Sequence, residues 1–148
     1  MQKVQLKTMN KEQAWLDANL ILRFLLKDHP KFFKAALDLF TEAENGRVTL
    51  CVHPLILAEV VWTLQGYYGY SKEDIAKTIS EMIESDGLFV QDKEVAQKAL
   101  GDYVEKNVDY IDAYLSAYAL IKGPQVIYTF DKKHFSCLEG DIRLLPSI

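Results

Sequence analysis

The sequence predicts an α/β domain with a mainly parallel, five-stranded sheet flanked by helices. Three observations predict it. Short β-rich runs alternate with stretches of helical period, some singly and some in pairs, the order expected of a layered parallel sheet. The chain has 148 residues, the size of one domain with a sizeable core, and carries no internal repeat, low-complexity run or linker. Two of the β-rich runs lead straight into an aspartate, Asp17 and Asp131, where an open parallel sheet places its ligand crevice.

Residues 1–13 carry Lys3, Lys7 and Lys11 against the single acid Glu12 and show no clear period. They are expected to form an N-terminal extension, leaving 14–148 as the domain. A short strand then ends near Leu16. Asp17 follows, and Leu20, Ile21, Phe24 and Leu25 are spaced as the buried face of a first helix. Asp28 and Pro30 mark the start of a second, since Asp caps free N–H groups and Pro is tolerated in a first turn. That helix runs from about Lys31 to Glu44 on a stripe of Phe32, Phe33, Ala36, Leu37 and Phe40, and Asn45 and Gly46 stop it.

Arg47 to Val52 is the second strand, and His53 and Pro54 open a third helix ending at Gly69. Ser71 to Asp74 has capping-box spacing and starts a fourth helix, which reaches about Ser85. After Gly87, residues 88–90 form a short strand. Glu94 to Lys106 is a fifth amphipathic helix, and a sixth runs from about Asp109 to Lys122 and Gly123. Val126 to Thr129 reads as a buried fourth strand and Ile142 to Leu145 as a fifth.

Composition excludes several classes. Hydrophobic residues make up 49% and charged residues 26%, as in ordinary globular proteins. Arg23, Glu59, Asp112 and Lys122 interrupt every apolar stretch before the roughly 18 residues that a membrane span needs. The N-terminus lacks the apolar core of a secretory signal, so a cytoplasmic location is expected. Cys51 and Cys137 stand apart from each other and from His29, His53 and His134, which gives no zinc-ligand spacing; both read as buried or partly buried thiols. The formal charge of -4 argues against a broad basic nucleic-acid surface. It leaves room for an active site built of carboxylates.

The chemistry rests on acids. Asp17 and Asp131 lie at strand ends, although an Asp there also caps a following helix. Glu59 sits in LILAEVVWTL, where its charge must be paired, exposed or bound to a metal. Asp109 and Asp112 share one face of the sixth helix in its first turn, a placement that also suits capping and the helix dipole. Hard oxygen ligands of this kind select Mg²⁺ or Mn²⁺. Clustered carboxylates repel one another, and divalent ions relieve the repulsion. Two such ions roughly 4 Å apart suit phosphodiester hydrolysis. Arg23, Lys132, Lys133 and His134 are candidate phosphate contacts, or solvated surface.

Asp17-Ala18-Asn19, Glu59 in LAEVVWTL, the helix DYIDAYLSAYA and YTFDKKHF resemble, in order and spacing, the PIN-domain ribonucleases, especially the VapC-like toxins of toxin-antitoxin pairs. The resemblance covers about residues 14–145. It implies that Asp17, Glu59, Asp112 and Asp131 are the acidic metal-site and catalytic residues, with Asp109 an accessory acid and Asn19 and Thr129 in support. It also implies RNA as substrate, a homodimer and a VapB-like antitoxin partner.

Other readings fit less well. A receiver module needs an acid after a central strand, and the second strand ends in Val52-His53-Pro54. A haloacid-dehalogenase-type phosphatase needs a second Asp two residues after the first, and position 19 is Asn. No GxSxG or Cys-His pattern supports a serine or cysteine hydrolase. The alternative of another class is a PIN-like scaffold that binds RNA or protein without cutting.

Overall fold

The computed structural model describes residues 11–146. Residues 1–10 of the expected extension lie outside the described residues. Backbone proximity groups the chain into two compact units, the first containing 11–60 and 81–91, the second 61–80 and 92–146.

The first unit is built on a parallel sheet in the order β1-β2-β3. β1 (Glu12–Trp15) pairs with β2 (Val48–Val52) from Glu12↔Val48 to Trp15↔Cys51, and β3 (Leu88–Val90) pairs with the other side of β2. β1 thus begins inside the stretch that showed no sequence period. Strand pairing, which periodicity does not report, orders Glu12 and Gln13. β2 alternates as a half-buried strand should, with Val48, Leu50 and Val52 buried.

Asp17 ends the β1 segment and caps α1 (Ala18–Leu26), its Oδ1 accepting from the Leu20 N–H at 2.9 Å. Lys27 closes α1 in the left-handed region at φ 55°. Helix α2 (Pro30–Glu44) has Pro30 in its first turn, but its cap is His29 rather than Asp28: the Nδ1 of His29 accepts from the Phe32 N–H at 3.3 Å. Asp28 is engaged elsewhere, by both of its oxygens with Arg23. The buried line of α2 is Ala36, Phe40 and Ala43, whereas Phe32 and Leu37 of the expected stripe stay exposed at 48% and 41%. Gly87, at φ 85°, brings its backbone against Ala43, an approach that a side chain would obstruct.

Helices α3 (Pro54–Gly66) and α4 (Lys72–Ile83) each contribute residues to both units. The predicted cap of α4 forms, the Asp74 N–H donating to Ser71 Oγ at 3.1 Å. The second unit continues with α5 (Lys93–Glu105), α6 (Tyr110–Ile121), β4 (Val126–Thr129), α7 (Lys132–Phe135) and β5 (Asp141–Leu144). Its strands pair in parallel, from Val126↔Asp141 to Thr129↔Leu144. The one-turn helix α7 has no counterpart in the sequence reading, because four residues carry no period. All strand pairings are parallel, as expected, and they form two hydrogen-bonded sheets of three and two strands.

β4 departs from the buried strand expected: only Ile127 is buried, while Val126 and Tyr128 face outward. Its apolar run reads the same whether one face or both are covered. Within this unit α6 packs on α5, with the Tyr103 and Tyr110 rings edge to face at 6.0 Å and Ala99, Ala113 and Ala117 buried. Ser116 is also buried, and its hydroxyl donates to the Glu139 carbonyl at 2.8 Å. The Glu139 carboxylate lies 3.2 Å from Lys98 Nζ and 3.5 Å from Lys106 Nζ, and the same two lysines flank buried Asp102. Among the described residues, no helix is long and apolar enough to cross a membrane.

Candidate metal centre

Two structural elements of the second unit bring chemistry together. The first is the start of α6. Asp109 occupies the N-cap position with extended backbone and makes no side-chain cap bond. Its carboxylate is therefore not spent on the helix, contrary to the capping reading. Asp112 follows in the first turn, half-buried. Burial first, then the neighbouring Asp109 and Asp131 carboxylates, push the Asp112 carboxyl above its ordinary value, with His134 opposing them.

The second element is the turn from β4 into α7. The Asp131 N–H donates to Thr129 Oγ1 at 3.0 Å, and Asp131 Oδ1 accepts from the His134 N–H at 3.0 Å. The other oxygen, Oδ2, lies 2.8 Å from the His134 Nδ1. The backbone N–H of His134 and then its imidazole hold the Asp131 carboxyl below its ordinary value. Since an ionised carboxylate only accepts, Nδ1 is the donor in this bond.

These elements meet. His134 Nδ1 lies 3.6 Å from Asp112 Oδ2, and ligand atoms of Asp112, Asp131 and His134 all fall within 4.8 Å of one another. No other such group of three occurs among the described residues. A divalent cation fits this donor set. Asp112 is a carboxylate whose ionised form its burial and acidic neighbours disfavour, and the His134 Nδ1 orients the second carboxylate, Asp131.

The remaining sequence candidates have definite places. Asp17 and Glu59 belong to the first unit and are both exposed, Glu59 on the outward side of α3. Exposure answers the question that Glu59 poses in its apolar surroundings. Asp17 and Asn19 line a cleft of about 460 Å³ between α1 and α2 with Leu20, Arg23, Phe32 and Leu39. Arg23 is held by Asp28 at 2.9 Å, so its charge serves an ion pair rather than an open phosphate contact. Lys132 and Lys133 are exposed directly after Asp131. Thr129 supports Asp131 through its hydroxyl.

His134 is the residue that sequence reasoning undervalued. It reads there as a phosphate contact, yet its imidazole lies between two carboxylates. The available signal was its spacing three residues after Asp131, which puts both on one turn. The cysteines are both free; Cys51 is half-buried as expected, but Cys137 is exposed. Its position after a one-turn helix leaves it at the surface.

Comparison with known proteins gives one finding of relationship: the family model described as PIN domain matches residues 14–138. No curated protein and no solved structure matches the chain significantly.

Proposed function

The chain belongs to the PIN-domain family, whose members are generally metal-dependent nucleases, and on that premise we propose that it is an Mg²⁺- or Mn²⁺-dependent endoribonuclease. The observation that carries the proposal is the convergence of Asp112, Asp131 and His134, with ligand atoms within 4.8 Å of one another, a group able to hold a divalent cation. Asp112 and Asp131 would hold the cation, and His134, whose Nδ1 lies 2.8 Å from Asp131 Oδ2, would orient that carboxylate. Asp17, Glu59 and the accessory acid Asp109 enter through their place in the sequence pattern, with Asn19 in support. When bound, such a cation activates water and offsets the charge of a phosphodiester.

Each protein group has a distinct task in this scheme. Asp112, disfavoured as a bare anion by its surroundings, gains most from a cation. Thr129 fixes the backbone of Asp131, so that carboxylate keeps its direction. Lys132 and Lys133 meet substrate phosphates. A VapC-like toxin role, a homodimer and an antitoxin partner follow from the resemblance and belong to the same proposal.

The test is cleavage of a structured RNA pool with Mg²⁺, with Mn²⁺ and with chelator, beside folded Asp112→Asn, Asp131→Asn and Asp17→Asn variants. Metal-dependent cutting that each substitution removes supports the site. Cutting as fast as the parent by the Asp112→Asn protein refutes it. Growth arrest on expression of the parent, absent for Asp112→Asn, tests the toxin role; sedimentation tests the dimer.

A further inference from the structure

Lys72 opens α4, and its half-buried side chain ends on two groups of the α5–α6 corner, all within the second unit. The ammonium donates to the Val108 carbonyl at 2.7 Å and lies 4.5 Å from the centroid of the Tyr103 ring. That ring is a fixed support. Tyr103 is fully buried, and its hydroxyl donates to Gln65 Oε1 at 2.6 Å. Lys98 and Lys106 are engaged by the carboxylates of Asp102 and Glu139, whereas the bond Lys72 makes is to a carbonyl.

The anchored carbonyl matters because of the residue that follows it. The Val108 carbonyl and the Asp109 N–H share one peptide plane, so the bond from Lys72 fixes the plane from which Asp109 departs. On the other side the Asp109 carbonyl accepts from the Ala113 N–H at 3.0 Å, and before Val108 the chain turns through Asn107 at φ 51°. Asp109 is thus held on both sides while its carboxylate makes no cap bond.

Charge links Asp109 to Lys72 and to the candidate metal centre. Burial pulls Lys72 below the ordinary range of an ammonium, and Asp109, then Glu73, oppose it; at Asp112, burial and then Asp109 act upward. Asp109 nevertheless stands outside the group formed by Asp112, Asp131 and His134, although it precedes Asp112 by a single helical turn. A neutral donor would bond the Val108 carbonyl at a lower desolvation cost. Only a cation also counters a carboxylate.

Resting on the metal-dependent nuclease reading above, we propose that Lys72 is a positioning residue that keeps Asp109 beside the cation site and out of its ligand set, by anchoring the Val108 peptide and countering the Asp109 charge. Asp109 then adds negative charge near the site without occupying a ligand position. The plain alternative is a tie between α4 and the α5–α6 corner. The two differ in sign, because loosening a tie does not tighten metal binding.

The experiment is Mn²⁺ calorimetry on the full chain, comparing the parent with Lys72→Met, Lys72→Arg, Asp109→Asn and the Lys72→Met, Asp109→Asn pair, each checked for folding by circular dichroism. Lys72→Met is expected to bind Mn²⁺ about tenfold more tightly, since the released carboxylate reaches the cation. Lys72→Arg keeps the charge and a donor over the ring and binds as the parent does. Most of the gain disappears in the Asp109→Asn background, where Lys72 has no carboxylate to act through. Lys72→Gln, which keeps a donor but drops the charge, shows a smaller gain in the same direction and stands in where the methionine variant fails to fold.

Unchanged or weaker Mn²⁺ binding by folded Lys72→Met overturns the proposal, as does a gain that persists in full without Asp109 or a parent that binds no Mn²⁺. Asp109-dependent tightening in a chain whose parent cuts no RNA with Mg²⁺ or Mn²⁺ leaves the positioning role standing and removes the nuclease reading. Metal-dependent cutting by a parent whose Mn²⁺ affinity Lys72→Met leaves unchanged does the reverse.

Discussion

The imidazole Nδ1 of His134 lies 3.6 Å from Oδ2 of Asp112, so a residue from a one-turn helix after β4 meets the first turn of α6. Twenty-two positions apart in sequence (134 minus 112), the two are neighbours only because α6 and the β4–β5 pair fold onto each other within one unit.

His134→Ala removes the donor that orients Asp131 and the group that moderates repulsion between Asp112 and Asp131. Metal affinity, measured by calorimetry with Mn²⁺, is expected to fall by about 10–100-fold. Unchanged affinity would place the cation elsewhere.

The two carboxyls should titrate in opposite directions from their ordinary value of 3.8. For Asp112 the folded pKa is raised, so its neutral form contributes stability that is full below 3.8 and is lost as pH rises through the folded value. For Asp131 the folded pKa is lowered, so its contribution is present above 3.8 and is lost as pH falls through the folded value. Carboxyl NMR of the metal-free protein should therefore show Asp112 titrating above Asp131. Asp109→Asn should move the Asp112 midpoint down; no movement would show that Asp109 is not the neighbour raising it.

Gly87→Ala should destabilise strongly. The new Cβ would collide with the backbone carbonyl of Ala43, and φ of 85° is strained for any L side chain. A loss of about 3 kcal/mol or more is expected from overlap and strain together. Gly46→Ala, at φ 78° with open space around it, should cost only about 1 kcal/mol. Urea unfolding of both variants separates the two effects, and equal losses would remove the packing argument.

Ser116→Ala deletes the hydroxyl that ties α6 to the Glu139 carbonyl at 2.8 Å. The expected cost is about 1 kcal/mol, read as a lower urea midpoint at unchanged slope. A stability equal to the parent's would mean that the bond contributes nothing net.

What the sequence determined by itself is local. Hydrophobic period and capping residues placed the longer helices to within about three residues, and Ser71 caps α4 as its spacing requires. Apolar runs leading into Asp17 and Asp131 located both acids just after strands, because a strand's end and the residue that follows it are covalently linked. Tertiary structure decided the rest. His29 replaced Asp28 as a cap because Arg23 claimed the aspartate. Glu59 turned outward, β4 kept one face in solvent, and His134 reached Asp112. None of these is encoded in a window of neighbouring residues. Each depends on which distant segment covers a face, and that choice is made by packing the whole chain.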